Sequence, residues 1–402
     1  PGTSVIYSAN SVVHTNCTFD SEHNRVVVVY YDRANSNYGT ANVGAVSGTS
    51  ISFGSPVVYS SADTEGNVIT FDSDSGRVVI MIQDGGTSNY GRAIVGDVNP
   101  SNNSIAFGSL ATFESANTYP LSMAFDSNSN KVVALYTDQG NSNTLTAVVG
   151  DVTASNNSIA FGTPVSVGVS SFVADISFDS TVNKIVVAYR NSDDSNHGGA
   201  KVGTITASNN TLAYGSLSSA YSNFATVING AVYDTNINKF VVVYNNQSVS
   251  PNPQQVSVGT VSGTSISFGT ASATSADTSG IVAYLQCACF DSSTNKVVSV
   301  FRKTASDPNS TTTNKGRAVV ISTSGLISNL TAENYIGISD SAYTDGQDAV
   351  IQVGGSVDDA QSSLTVGQSY FVQTDGSLGT TADDPSVFAG TAIAATKLVV
   401  KG

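Results

Sequence analysis

FDSEHNRVVVVYY, from Phe19 to Tyr31, decides the fold because the chain repeats it. Five further copies follow: FDSDSGRVVIMI from Phe71, FDSNSNKVVALY from Phe125, FDSTVNKIVVAY from Phe178, YDTNINKFVVVY from Tyr233 and FDSSTNKVVSVF from Phe290. Each copy sets an aromatic and an Asp before a polar turn, then Asn or Gly, Lys or Arg, and a β-branched run. Their starts lie 52, 54, 53, 55 and 57 residues apart, the mark of a repeat architecture.

A second phrase follows each copy, as in TANVGAVSGTSISFGSPVVY (Thr40 to Tyr59) and RAIVGDVNPSNNSIAFG (Arg92 to Gly108). The two phrases predict four strands per repeat: one ending at the aromatic-Asp, one in the Val run, one in A-x-V-G and one in S-I-x-F-G. That is the content of a propeller blade. Val26 to Val29 and Val241 to Val243 are apolar on both faces, which a strand needs only when both sides of its sheet are covered. In the Asp-Ser-x-x-Asn-Lys turn, Asp is expected to accept backbone N–H groups while Asn or Gly takes a positive φ. One carboxylate per turn is too few for calcium, so no metal is expected.

Val5 to Phe19 (VIYSANSVVHTNCTF) aligns without a gap on Val57 to Phe71 (VVYSSADTEGNVITF). The chain therefore starts inside a fourth strand, and the sixth repeat has a poor fourth strand of its own. Residues 1–18 are expected to complete the last blade. The resulting all-β fold is a six-bladed β-propeller over 1–325, closed by that N-terminal strand, followed by a small C-terminal β domain over 326–402. Pro1 in place of Met predicts a processed, truncated or excised product.

Charged residues make up only 11% of the 402, against about 25% in ordinary domains, and the formal net charge is −14. No Lys/Arg run exceeds Arg302–Lys303, which argues against nucleic acid and anionic membranes as partners. The longest apolar run, Val26 to Tyr31, is too short to span a bilayer, so no membrane insertion is expected. The three cysteines make no disulfide framework and no zinc spacing. Cys17 lies two residues before its aromatic, Cys289 and Cys287 one and three before theirs. In a closed ring they are expected to meet, as buried thiols with a disulfide within reach.

Comparing repeats separates two loop faces. One is uniform: the Asp-Ser turns alternate with SGTS or SNNS. The other varies: DRANSNYG (Asp32 to Gly39), DGGTSNYG (Asp84 to Gly91), RNSDDSNHGG (Arg190 to Gly199), NNQSVSPNPQQ (Asn245 to Gln255) and RKTASDPNSTTTNKG (Arg302 to Gly316). Variation on an otherwise constant scaffold marks a recognition surface. The candidate receptor- or glycan-binding residues are Asn37, Tyr38, Asn89, Tyr90, Tyr119, Asp194 and His197, since aromatics beside amides and carboxylates stack on and hydrogen-bond sugars. The alternative is that each Tyr packs over its own blade edge. Catalysis has weaker support. The chain has four Glu, three His and no Trp, which rules out a Trp-containing sialidase box, and Asp193–Asp194, the best local pair, suits a solvated loop. No elbow or zinc motif occurs, so the chain is expected not to be an enzyme and to carry no cofactor.

The D-x-x-x-N-K-V turns resemble those of YVTN-type propeller repeats. SLTVGQSYFVQTDGSLGTT (Ser363 to Thr381) with SVFAGTAIAATKLVVK (Ser386 to Lys401) resembles a C-terminal module of tail-fibre and other virion proteins of tailed, particularly marine, bacteriophages. The repeats, with N-K-V-V-V-Y and S-I-S-F-G-S-P-V, resemble the same class. The resemblance implies a virion-surface structural protein with other virion proteins, itself as a homo-oligomer, and a host glycan or receptor as partners. Adhesion through the variable face is the expected function. The alternative is an architectural subunit, such as a capsid decoration, tail component or extracellular filament.

Overall fold

The repeated Asp closes a β-hairpin in each copy of the phrase in the computed structural model. Asp20 Oδ1 accepts from the N–H groups of Glu22 and His23 at 3.0 Å, and Asp72, Asp126, Asp179 and Asp234 bind the second and third residues after them in the same way. The Asn or Gly that ends each turn is left-handed, from φ 53° at Asn24 and Asn295 to 65° at Gly76. Gly and Asn accept that conformation more readily than other residues, so the phrase is chain-reversal chemistry and fixes register. The structure describes all residues except 1, 216–219, 250–251, 275–286, 304–314, 324–334, 344–346, 374–376, 383–385 and 402. The expected loop over 302–316 and the turn at 374–377 therefore fall largely outside the described residues.

The first repeat pairs β1 (Val12–Asp20), β2 (Arg25–Asp32) and β3 (Tyr38–Ser47) antiparallel in that order. The far edge of β3 takes β4 (Ser50–Phe53) along one half and the start of β5 (Val57–Asp72) along the other. From Thr64 onward β5 leaves that edge and pairs with β6 (Arg77–Asp84) of the second repeat. One strand thus ends one repeat and opens the next. The second repeat continues with β7 (Tyr90–Asn99), β8 (Ser104–Phe107) and the start of β9 (Ala111–Asp126), the third with β10 (Lys131–Asp138), β11 (Thr144–Thr153), β12 (Ser158–Phe161) and β13 (Val165–Ser170). The fourth comprises β14 (Ala174–Asp179), β15 (Lys184–Asn191), β16 (His197–Thr206) and β17 (Thr211–Tyr214), with the start of β18 (Ser222–Asp234). The fifth adds β19 (Lys239–Asn246), β20 (Gln254–Ser262), β21 (Ser265–Phe268) and β22 (Ser272–Ala273); the sixth is β23 (Cys287–Asp291), β24 (Lys296–Lys303) and β25 (Lys315–Ile321). All ladders are antiparallel, and the described residues hold no α-helix.

The doubly apolar Val runs are explained by their neighbours. Val27 and Val29 pack with Val78 and Ile80 of the second repeat, Val79 and Met81 with Val132 and Ala134 of the third, and Leu135 with Ile185 and Val187 of the fourth. Successive sheets stack face to face, so the central strands of the second to fifth repeats are covered on both sides, whereas β24 of the sixth buries Val297 and Ser299 but leaves Val300 exposed. The first strands of all six repeats line one cavity of about 400 Å³. Asn16, Val68, Ser122, Asp175, Gly230 and Cys287, each three residues before its aromatic, converge there.

Asp175 is the charged member of that set. Its Oδ1 accepts from Ser122 Oγ at 2.5 Å and from Ile176 N–H at 2.9 Å, and its Oδ2 from Ala231 N–H at 2.8 Å, which ties the third, fourth and fifth repeats together. Burial pushes its pKa above the usual value, more than these hydrogen bonds lower it. A carboxyl with a raised folded pKa holds its proton more tightly folded than unfolded. Its stabilising contribution is complete below about pH 4 and is lost as pH rises through the folded value. Asp175→Asn is therefore expected to gain stability relative to the parent between about pH 4 and about pH 7. Urea midpoints at both pH values check this, and a difference that stays constant with pH would contradict it.

Two expectations are corrected. Residues 2–11 form no strand, and among the described residues β25 pairs with β24 alone, so 1–18 does not add a paired strand to the sixth repeat. The segment keeps its side-chain slot without a paired strand, its one backbone–backbone contact among the described residues being the Ser11 carbonyl that accepts from Arg33 N–H at 3.1 Å. Tyr7 lies 5.4 Å from Tyr30 and 6.0 Å from Phe53, and its carbonyl accepts from Asn42 Nδ2 at 2.9 Å, much as Tyr59 lies 5.6 Å from Phe107 one repeat later. The cysteines are free and exposed rather than buried. They sit on β1 and β23, the first strands of the first and sixth repeats.

The chain divides into two compact bodies, Pro1–Ile321 and Ser322–Gly402. In the second, β26 (Ile338–Ser339) pairs with β27 (Ile351–Gln352). A separate antiparallel sheet holds β28 (Val357–Asp358), β29 (Ser369–Val372), β30 (Leu378–Gly379), β31 (Phe388–Ala394) and β32 (Lys397–Val400), in the order β28-β32-β31-β29-β30. Tyr370, Ala389, Ala392 and Leu398 form its core. No helix of the described residues is long and apolar enough to cross a membrane.

Candidate functional site

The variable loops that join the second and third strands share a hidden frame. Asp32 and Asp84 each cap a short 3-10 turn, accepting from Ala34 N–H and Gly86 N–H at 3.0 Å. The Ser-Asn pair that follows is left-handed at both residues in four repeats, at Ser36–Asn37, Ser88–Asn89, Ser142–Asn143 and Ser195–Asn196. The Asn carbonyl then binds the next repeat: Asn37 accepts from Thr64 N–H at 3.2 Å, Asn89 from Thr118 N–H at 3.0 Å and Asn196 from Thr226 N–H at 3.0 Å. Asn37 and Asn89 thus have a conformational and docking role whatever they bind.

A cavity of about 180 Å³ opens on this face, lined by Asp63, Glu65, Gln83, Gly85, Asn89, Asn117 and Gln139. These residues come from β5, β6, β9 and the turns that open at Gly85 and Gln139. Asp63 and Glu65 are exposed, whereas Gln83 is buried. Gln83 Nε2 donates to Asn117 Oδ1 at 2.9 Å and to the Thr118 carbonyl at 2.5 Å, which leaves the Asn117 Nδ2 protons for a ligand. Between Glu65 and Val68 the β5 ladder shifts register at Gly66, whose φ is 62° and whose absent side chain leaves room for Pro120. Such a bulge re-aims the side chain beside it.

Glu65, Tyr119 and Phe172 occupy the same position in three successive repeats. The Tyr119 and Phe172 rings meet edge to face at 6.4 Å, and Phe172 also lines the large central cavity. Burial raises the Tyr119 pKa, and the Glu65 charge adds to the rise; Tyr119 follows the hollow's Asn117 by two residues on β9. An acid-and-amide hollow therefore stands next to an aromatic shelf. Carboxylates and amide oxygens accept from hydroxyls, while ring faces take C–H surfaces, the combination that a sugar presents.

Of the residues singled out from sequence, Asn89 lines the hollow and Tyr119 adjoins it. Tyr90 stands opposite Asn117 in the β7–β9 ladder, and Tyr38 opposite Asp63 in the β3–β5 ladder. Asn37 belongs to the same loop as Tyr38. Asp194 and His197 lie apart from the hollow, on the fourth repeat's loop, where His197 Nδ1 is 3.4 Å from Asp194 Oδ2. Asp193 Oδ2 accepts from Ser170 N–H at 2.7 Å rather than standing free as part of a pair. Sequence reasoning missed Asp63, Glu65, Gln83, Asn117 and Gln139. The available signal was the alignment column of Tyr119 and Phe172, in which Glu65 stands. Among the described residues no cluster of His, Cys, Asp and Glu is arranged to hold a metal.

No protein-family model matches the chain, and no curated protein does. Solved structures similar to it include NanB with Optactamide, at 10% identity and TM-score 0.48 over 80% of this chain and 70% of that one. The Trypanosoma rangeli sialidase in complex with sialic acid has 11% identity and TM-score 0.42 over 78% of this chain, which spans 54% of the sialidase. A variant of AofleA from Arthrobotrys oligospora has 11% identity and TM-score 0.45 over 74% and 83%. Likeness at this level assigns neither activity nor ligand. It does correct the expectation that the chain is not an enzyme, because sialidases are enzymes and stand among its structural neighbours. The exclusion had rested on linear motifs. Stacked repeats bring together groups from several of them, as Asp63, Glu65 and Asn117 show here.

Proposed function

We propose that residues 1–321 form a closed six-bladed β-propeller that binds carbohydrate on its variable face, and that residues 322–402 form a separate small β domain. The convergence of six equivalent residues on one cavity supports the ring. The carbohydrate reading is carried by one observation: the hollow of Asp63, Glu65, Asn89, Asn117 and Gln139 stands beside the Tyr119–Phe172 shelf. The sequence resemblance of the second body to phage virion modules supports placing the protein on a virion surface, as a homo-oligomer among other virion proteins. There, weak single-site contacts with a host glycan multiply through many copies.

A glycan array probed with the full chain, followed by calorimetric titration of the best ligand, tests the binding. Glu65→Gln keeps the shape and removes the charge, and hydrogen bonds to charged groups contribute about 1.5–3 kcal/mol. Its affinity is expected to fall by about tenfold or more. A chain that binds no glycan yet assembles onto particles would overturn this reading in favour of the architectural role.

A further inference from the structure

At the junctions between successive repeats, the residue three before the aromatic of one meets the residue two before the aromatic of the next. Val68 and Met123 share one buried apolar cluster. The Asp175 carboxylate accepts from the N–H of Ala231 at 2.8 Å. A side chain on Gly230 would run into Ala288. The remaining junction, between β23 and β1, puts Cys287 and Cys17 at those two positions. Cys287 and the neighbour of Cys17, Asn16, line the same cavity. Ile69, Met123, Ile176 and Ala231 are all buried where Cys17 is exposed, so its junction is the least covered. Partial desolvation raises the pKa of both thiols, and at Cys287 the charges of Cys289, Cys17 and Asp175 add to the rise.

We infer that Cys17 and Cys287 form a redox latch, a disulfide that covalently joins the first and sixth repeats. This rests on the closed-ring reading. The oxidant is a low-molecular-weight disulfide. The Cys17 thiolate attacks it and releases one thiol, leaving a mixed disulfide on Cys17. The Cys287 thiolate then attacks the Cys17 sulfur and releases the second thiol. Two protein thiols are oxidised and one reagent disulfide is reduced to two thiols. Close approach is the geometric requirement, with Cβ atoms about 3.5–4.5 Å apart. Cys289, two residues further along β23 and on the same face, is the competing thiol.

The full chain treated with oxidised glutathione at about pH 9.5, chosen above the ordinary thiol range because the pKa of both thiols is raised, provides the test. Free thiols are expected to fall from three to one, with a Cys17–Cys287 cross-linked peptide found by mass mapping. Cys289→Ser is expected to retain the cross-link and Cys17→Ser to lose it. A Cys17→Ser chain that still closes a disulfide, or a parent that yields only glutathione adducts, would overturn the latch. Single-particle images of the same samples separate the two readings. A ring without the cross-link refutes the latch alone, and a chain with no ring refutes both.

Discussion

Replacing Tyr119 and Phe172 together by Ala is expected to weaken carbohydrate binding about 100-fold. Each ring offers a stacking face, and aromatic contacts of this kind contribute about 0.5–1.5 kcal/mol beyond the area they bury. Two such losses approach the roughly 2.7 kcal/mol that corresponds to 100-fold. The chain should survive the change, because Phe172 is 40% exposed and Tyr119 only half-buried. Calorimetric titration of variant and parent with one ligand, beside matched far-ultraviolet circular dichroism, checks both points. Unchanged affinity in a folded variant would move the binding site away from this shelf.

Phe240→Ala is expected to cost about 3–5 kcal/mol of stability, the range for removing a buried aromatic. Phe240 is fully buried and packs with Val186 and Ala188 of the fourth repeat and Val242 of its own. In the other five copies the same position holds Val or Ile. The extra volume therefore fills space that these smaller residues do not fill elsewhere, and its loss leaves a cavity between two sheets. Denaturant unfolding followed by tyrosine fluorescence measures the cost. A loss below about 1 kcal/mol would mean that the sheets close up over the gap.

The features legible in the sequence are those encoded locally. Asp20, Asp72 and their counterparts announce a turn because one carboxylate and one left-handed Asn or Gly suffice to make it, and the Val runs announce two-sided cover because nothing polar interrupts them. The dual use of β5 was not legible. Val57–Asp72 crosses from one sheet to the next through a bulge, and no Pro within it marks the change of partner. The N-terminal segment failed for a related reason. The match of Val5–Ser8 to Val57–Ser60 predicted the slot that Tyr7 fills but could not supply a partner strand. Exposure of Cys17 was hidden as well, because alignment treats the last junction as equivalent to the rest.

The candidate site divides along the same line. Asn37, Tyr38, Asn89 and Tyr90 stood out because loops were compared with loops. The hollow, however, takes Asp63, Glu65 and Asn117 from strands that cross between repeats, and Gln83 from a central strand. Glu65 is an ordinary exposed carboxylate in sequence. It becomes part of a site only because the bulge at Gly66 and the stacking of repeats set it in one hollow with Asn89 and Asn117.

A crystal structure of the chain soaked with the oligosaccharide that binds best tests the central claim most directly. The account predicts six sheets around one central cavity, with a sugar ring against Tyr119 and Phe172 and its hydroxyls donating to Glu65 or Asp63. A sugar bound on the uniform face or on the C-terminal domain, or repeats stacked in an open line, would contradict it.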